Sequence, residues 1–237
     1  MTKNWMKNII QWPLMLSDFT LDPKSIALII VDMQNYLFDV TCGLAKVINE
    51  EKPELAKYYF TRLNEVVIPN HAKLLEFFRS NDILRIFITV GSEREDGRDF
   101  LKLRQEASDK TRSKTNVPTI PVKGTYAHNI IGAISPQDGE IVLNKSTRSA
   151  FTSTGLDQIL RNMGVDTLAF TGAATNVCVE TTARDAADRG YKCILIEDSC
   201  ATFDEQSHDA TMQNFYRIFG KVKTTHELIL ELSNELG

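Results

Sequence analysis

The sequence predicts an α/β protein with three layers: a mostly parallel sheet of about six strands, with helices on both faces. Two observations lead there. Short apolar runs alternate with helix-length amphipathic stretches along most of the 237 residues, the pattern of strands joined by helical crossovers. Some of these runs are apolar at every position, as in Ile26-Ala27-Leu28-Ile29-Ile30-Val31, which is what a strand covered on both faces requires.

The elements follow in order. Residues 1–24 read as an N-terminal extension carrying Trp5 and Trp12, packed on the domain or on a partner subunit. The first strand, 26–31, closes at Asp32. From Pro53 to Ser80 apolar residues recur at helical spacing: Leu55, Tyr58, Tyr59, Leu63, Val66 and Val67, then Leu74, Leu75 and Phe78. Pro69 lies inside this stretch and has no N–H to donate, so a kink or a split into two helices is expected. A second strand, 84–90, runs into a charged loop from Glu93 to Arg104. Residues 105–138 are polar and hold Pro118, Pro121 and Pro136, which predicts an excursion over the surface. Strand three, 140–144, ends at Lys145. A helix at 156–162, strand four from Thr167, a helix containing Cys178, and strand five at 192–197 then alternate without interruption. A helix from about Asp204 to Phe219, a short strand at 222–225 and a terminal helix from His226 complete the series. No repeat or low-complexity linker divides the chain, so one domain over 1–237 is expected.

Composition narrows the function. Hydrophobic residues make up 43% and charged residues 24% of the chain, the balance of a water-soluble globular protein. A net charge of -4 gives no electrostatic footprint for nucleic acid or an acidic membrane. No apolar run approaches the roughly 20 residues that span a bilayer, and Met1 to Trp12 lacks the continuous apolar core of a secretion signal. A cytoplasmic protein acting on a small molecule is expected. Cys42, Cys178, Cys193 and Cys200 form no C-x-x-C pair, so no disulfide framework is expected. His71, His128, His208 and His226 show no zinc-ligand spacing, and neither a metal nor another cofactor is called for.

The chemistry concentrates in Thr171-Gly172-Ala173-Ala174-Thr175-Asn176-Val177-Cys178-Val179. Here a strand hands over to a helix through small residues, and a thiol falls in the first helical turn. Unpaired amides at a helix start favour negative charge, so a cysteine there is expected to have a lowered pKa and to react as thiolate. The plainer reading is an inert cysteine packed under the sheet. In open parallel sheets ligands bind beyond the carboxyl ends of the strands. Asp32 after strand one and Lys145 after strand three share that edge with Cys178. Lys123 is a rival for the basic role, but it falls in the polar excursion and not at a strand end.

These residues sit in a wider pattern. Ile29 through Asn35, Lys145 with Ser149-Ala150-Phe151, Gly172 through Val179, and Asp185 through Tyr191 occur in an order and spacing that resemble the isochorismatase-like cysteine hydrolases. The resemblance is to the amidohydrolase branch, similar to N-carbamoylsarcosine and ureidoacrylate amidohydrolases. It implies a catalytic triad of Asp32, Lys145 and Cys178, a cis peptide between Ala173 and Ala174, and an oxyanion site at the amides of Ala174 and Cys178. The implied reaction is hydrolysis of a C–N bond in a small amide, ureido or carbamoyl substrate through a thioester, releasing ammonia or an amine. It also implies a dimer or tetramer. Vinyl-ether hydrolysis of the isochorismatase type is the alternative within the family. A non-catalytic or redox protein pairing Cys178 with Cys200 is the alternative outside it. The metal-binding nicotinamidases are disfavoured because the loop from Ser92 to Asp99 has no histidine. Where the family often has an aromatic five residues after the first Asp, this chain has Leu37, followed by Phe38. Gln34, Phe38, Arg94, Tyr126 and Phe151 are the candidate substrate contacts, with Arg94 or Arg98 placed to meet a carboxylate.

Overall fold

The computed structural model describes Trp5, Met6 and residues 18–237. Its centre is a six-stranded sheet of β1 (Ile26–Val31), β2 (Leu84–Val90), β3 (Ile141–Lys145), β4 (Thr167–Ala173), β5 (Lys192–Ala201) and β6 (Lys221–Lys223). All neighbours are parallel, in the order β3-β2-β1-β4-β5-β6. The chain winds outward from β1 to β3, returns beside β1 as β4, and winds outward on the other side. That reversal opens a crevice at the carboxyl ends of β1 and β4, where doubly wound sheets bind ligands.

β1 shows how the sequence builds the layers. Successive side chains of a strand point to opposite faces. Ala27, Ile29 and Val31 join one core, with α6 (Ala150–Ser153), α7 (Leu156–Asn162), α8 (Glu180–Asp188) and α9 (Glu205–Ile218) contributing its other wall. Ile26, Leu28 and Ile30 join the opposite core, under α3 (Pro53–Arg62), α4 (Ile68–Ser80) and α10 (Thr225–Leu236). The last helix starts at a capping box, with Thr224 and Glu227 satisfying each other's backbone N–H. Trp5 is buried in the first core, its ring 5.5 Å from that of Tyr216 and its indole N–H donating to Glu197. It therefore packs on its own chain; Trp12 lies outside the described residues.

The structure departs from expectation in three places. The stretch 53–80 does not split; helical backbone runs from α3 through a π-helical turn, Leu63–Val67, into α4. Pro69 in the first turn of α4 cannot donate to the carbonyl four residues back, and the wider π turn immediately before it absorbs that lost bond. The region 105–138, read as an irregular excursion, begins within a 14-residue helix, α5 (Lys102–Thr115). Only Ser108 of α5 is buried, so the helix has no apolar stripe to betray it. Strand five runs four residues past its expected end, to Ala201, after a register shift between Phe170 and Gly172. Cys200 is consequently inside β5, buried, with its thiol directed at the Phe170 carbonyl. The short helices α1 (Asn35–Phe38) and α2 (Gly43–Glu51) follow β1 at the carboxyl edge. No helix among the described residues is long and apolar enough to cross a membrane.

Candidate active site

Asp32 is the first residue beyond β1 and is wholly buried. Its backbone is left-handed, φ 52°, a conformation Asp tolerates better than most residues. The Asp32 N–H donates to Ile88 (2.8 Å) and its carbonyl accepts from Gln34 N–H (2.8 Å). Beside it, Gly172 of β4 has φ 118°, and a Cβ there would stand 2.0 Å from the Val31 carbonyl oxygen. Only glycine lets β4 approach β1 this closely at the crevice.

Lys145 closes β3, two strands from β1, and its long side chain crosses the end of β2. Nζ donates to Asp32 Oδ2 at 2.9 Å and to the Thr147 carbonyl at 3.1 Å, and both charged groups are fully buried. Burial raises the Asp32 pKa, against the pull of the Lys145 ammonium and the Cys178 thiol. Burial also works against the Lys145 charge, but Asp32 and Cys178 outweigh it and hold the ammonium protonated. The second carboxylate oxygen, Asp32 Oδ1, is buried and has no well-aligned hydrogen bond.

Cys178 comes from the other side of the crevice. The Ala173–Ala174 peptide bond is cis, and residues Thr175–Val179 form a π-helical turn leading into α8. The Ala174 carbonyl accepts from Val177 (3.0 Å) and Val179 (3.3 Å), winding the turn around its start. The thiol is half-buried and close enough to Asp32 and Lys145 for both charges to act on it. Burial pushes it up to about 12; the Asp32 charge adds to the rise and Lys145 partly offsets it. The expectation of a lowered thiol pKa is therefore not met. Burial, with the carboxylate beside the sulfur adding to it, outweighs the helix-start position, so the resting group is a neutral thiol.

Two further sets of residues, unmarked in the sequence reading, hold this turn. Thr182 Oγ1 donates to the Cys178 carbonyl at 2.7 Å. Arg62 lies 3.0 Å from His208 Nε2, and His208 Nδ1 lies 3.1 Å from Thr175 Oγ1. Arginine can only donate, so Nε2 accepts, and Nδ1 carries the proton shared with Thr175. Burial first, and Arg62 second, lower the His208 pKa to about 3 and keep the ring neutral.

Cys178 opens into a cavity of about 200 Å³ lined by Ala174 and by apolar walls that include Tyr36, Leu37, Phe100 and Phe203. None of the five expected substrate contacts lines it. Gln34 is buried and ties the segment after β1 to Val90 and His128 through three hydrogen bonds of 2.6–3.1 Å. Phe38 turns away to pack near Tyr59 (ring centroids 6.4 Å apart), while Leu37 faces the cavity. Arg94 is exposed and paired with Asp96 at 2.7 Å; Arg98 is exposed and 4.0 Å from the same carboxylate. Tyr126 is exposed and bonded to Asp39, and Phe151 sits in the core against Tyr191. Lys123 is engaged by Glu93 at 2.9 Å on the surface. Two cations line the cavity instead, Arg104 of α5 and Arg148 beyond β3. Arg104 belongs to α5, a helix with no apolar stripe, so no periodicity in the sequence marks it. Among the described residues no group of three or more His, Cys, Asp or Glu is gathered to hold a metal.

A doubly wound parallel sheet with a buried Asp–Lys pair and a thiol at its switch point is the arrangement of an α/β protein that binds a small molecule there. Comparison with known proteins narrows it. Residues 26–227 match the isochorismatase domain family. The chain is 28% identical to ureidoacrylate amidohydrolase RutB of Rhizobium rhizogenes over 90% of its own length and 86% of that protein. A cysteine hydrolase from Pseudomonas syringae pv. phaseolicola superposes with a TM-score of 0.76 at 25% identity, covering 94% of this chain and 99% of the other. N-carbamoylsarcosine amidase from Thermoplasma acidophilum does so with a TM-score of 0.61 at 27% identity, over 85% and 96% of the two chains. The chain belongs to the isochorismatase family, a family of hydrolases, and its relatives point to amide hydrolysis.

Proposed function

We propose that this protein is a cysteine-dependent amidohydrolase that cleaves the C–N bond of a small ureido, carbamoyl or amide substrate through a thioester. The observation that carries the proposal is the fully buried Lys145–Asp32 pair at 2.9 Å with the half-buried Cys178 thiol against it. The similarity to an amidohydrolase and to an amidase supports the C–N bond as the target.

The chemistry follows from the charges. A thiol near 12 is not ionised at neutral pH, so its proton leaves during attack and not before. Asp32, made more basic by burial, takes the Sγ proton as the sulfur bonds to the carbonyl carbon. Lys145 remains an ammonium and balances the carboxylate when the proton has left it. The amides of Ala174 and Cys178 stabilise the oxyanion of the tetrahedral intermediate. Protonated Asp32 passes its proton to the leaving nitrogen, the C–N bond breaks, and ammonia or an amine departs. Water, deprotonated by Asp32, attacks the thioester; the C–S bond breaks and the proton returns to sulfur. The test is an ammonia-release screen over ureides, N-carbamoyl amino acids and primary amides, with Cys178→Ala as control. Release that depends on Cys178 supports the reading; no release across the panel, or release undiminished in the variant, rejects it.

A further inference from the structure

The cavity beside Cys178 has an unbalanced charge. Arg104 and Arg148 line it and no Asp or Glu does. Several other arginines are paired with carboxylates: Arg79 and Arg85 share Glu140, and Arg189 reaches Asp157 and Asp185. Arg104 spends one N–H on the Thr119 carbonyl at 3.2 Å. The exposed Arg148 guanidinium has no hydrogen bond, ion pair or ring contact among the described residues.

The backbone carrying Arg148 is nonetheless held firmly. Lys145 Nζ donates to the Thr147 carbonyl, and Thr147 Oγ1 donates to the Ser149 carbonyl at 2.7 Å. Ser149 Oγ donates to Asp185 of α8 at 2.6 Å. The Thr182 hydroxyl lies between the carbonyls of Cys178 (2.7 Å) and Arg148 (3.5 Å), joining the arginine's peptide to the nucleophile's. A fixed backbone with an unengaged guanidinium is the arrangement of a binding group awaiting a ligand. A planar fork of donors matches a carboxylate.

We propose that Arg148, together with Arg104, forms a carboxylate-recognising subsite of the Cys178 cavity, so that the substrate carries a carboxylate as well as its scissile C–N bond. The proposal rests on the amidohydrolase reading for the bond that is cut, but not for the anion preference. A cavity of about 200 Å³ with apolar walls restricts the substrate to a small acid with a short apolar body.

The test reads the anion preference without turnover. Iodoacetate and iodoacetamide alkylate thiols alike and differ in one carboxylate, so the ratio of their rates at Cys178 reports local recognition of that group. Peptide mass spectrometry follows each cysteine, and Cys42, half-buried and away from the cavity lining, serves as internal reference. The iodoacetate-to-iodoacetamide ratio at Cys178 is expected to exceed that at Cys42 by about tenfold or more, the worth of a charge-assisted hydrogen bond. Arg148→Gln should remove most of that excess, Arg148→Lys should keep part of it, and added salt should reduce it. Any change in thiol acidity affects both reagents and cancels in the ratio. Equal ratios at Cys178 and Cys42, or a Cys178 ratio unchanged within twofold in Arg148→Gln, would overturn the subsite. So would failure of both reagents to reach Cys178 while Cys42 reacts. An intact preference with no ammonia release from any substrate would instead retain the subsite and discard the amidohydrolase reading.

Discussion

Replacing Lys145 with methionine isolates what the buried ion pair contributes. Both side chains are fully buried and their charged atoms are 2.9 Å apart. Removing the ammonium leaves a carboxylate in the core with no cation and, at Oδ1, no aligned donor. Breaking one partner of such a pair costs about 3–5 kcal/mol, because the stranded charge is neither solvated nor neutralised. For a chain of this size that corresponds to a fall in Tm of roughly 6–20 °C. Asp32→Asn strands the ammonium in the same way and should cost a similar amount. The double variant Asp32→Asn/Lys145→Met buries two neutral groups of nearly unchanged shape, so its stability should return to within about 1 kcal/mol of the wild type. Activity should not return, since neither a base nor a balancing cation remains. Urea unfolding of the four proteins, with ammonia release measured on each, completes the cycle. A Lys145→Met protein as stable as wild type, or turnover regained in the double variant, would refute the reasoning.

Other outcomes follow from particular contacts. Gly172→Ala should cost far more than Gly190→Ala: both have positive φ, but a Cβ at 190 meets nothing within 4 Å while one at 172 would stand 2.0 Å from Val31 O. The displacement at Val31 passes straight to Asp32, and about a 100-fold loss in kcat/KM is expected for Gly172→Ala alone; equal losses in kinetics and Tm would contradict the close-approach argument. His71, which bonds the Val67 carbonyl, and His208 are buried, and burial lowers them to about 4 and about 3. Their folded values lie below the unfolded value near 6.5, so the stability they confer is full above it and lost as pH falls through it. Urea unfolding at pH 7 and pH 5 should differ by about 3–4 kcal/mol, and His71→Gln should remove about half of that difference. His208→Leu should slow kcat by about tenfold or more with little change in KM, because it releases the Thr175 turn without touching the cavity wall. A KM effect alone would mean that His208 shapes binding and not the nucleophile.

Much of this architecture is legible in the chain because burial leaves a pattern. β1 is apolar on both faces and β4 is buried on both, and Asp32, Lys145 and Cys178 each lie at or just past a strand end, so the parallel-sheet rule alone brings them to one edge. What cannot be read directly depends on contacts between distant segments. α5 has no apolar face, so periodicity is silent about it, and Arg104 is hidden with it. The cavity walls come from Tyr36, Phe100 and Phe203, on segments far apart in sequence, and only the assembled fold shows that they meet. Arg94 and Arg98 have the right chemistry for a carboxylate but spend it on Asp96, two residues from each. Gln34 sits beside Asp32 in sequence, yet its amide is consumed in holding the loop. The thiol's raised pKa comes first from burial in the assembled crevice and second from the Asp32 carboxylate beside it, and neither is visible in the helix-start position of Cys178.

The central claim is that Cys178 forms a covalent bond to the substrate's carbonyl carbon. Once the ammonia screen has supplied a substrate, rapid acid quench followed by intact-protein and peptide mass spectrometry tests this most directly. A transient mass increase equal to the acyl group, confined to the Cys178 peptide and absent from Cys178→Ser, is the predicted result. Steady product release with no adduct on Cys178 at any quench time shorter than a turnover would contradict it.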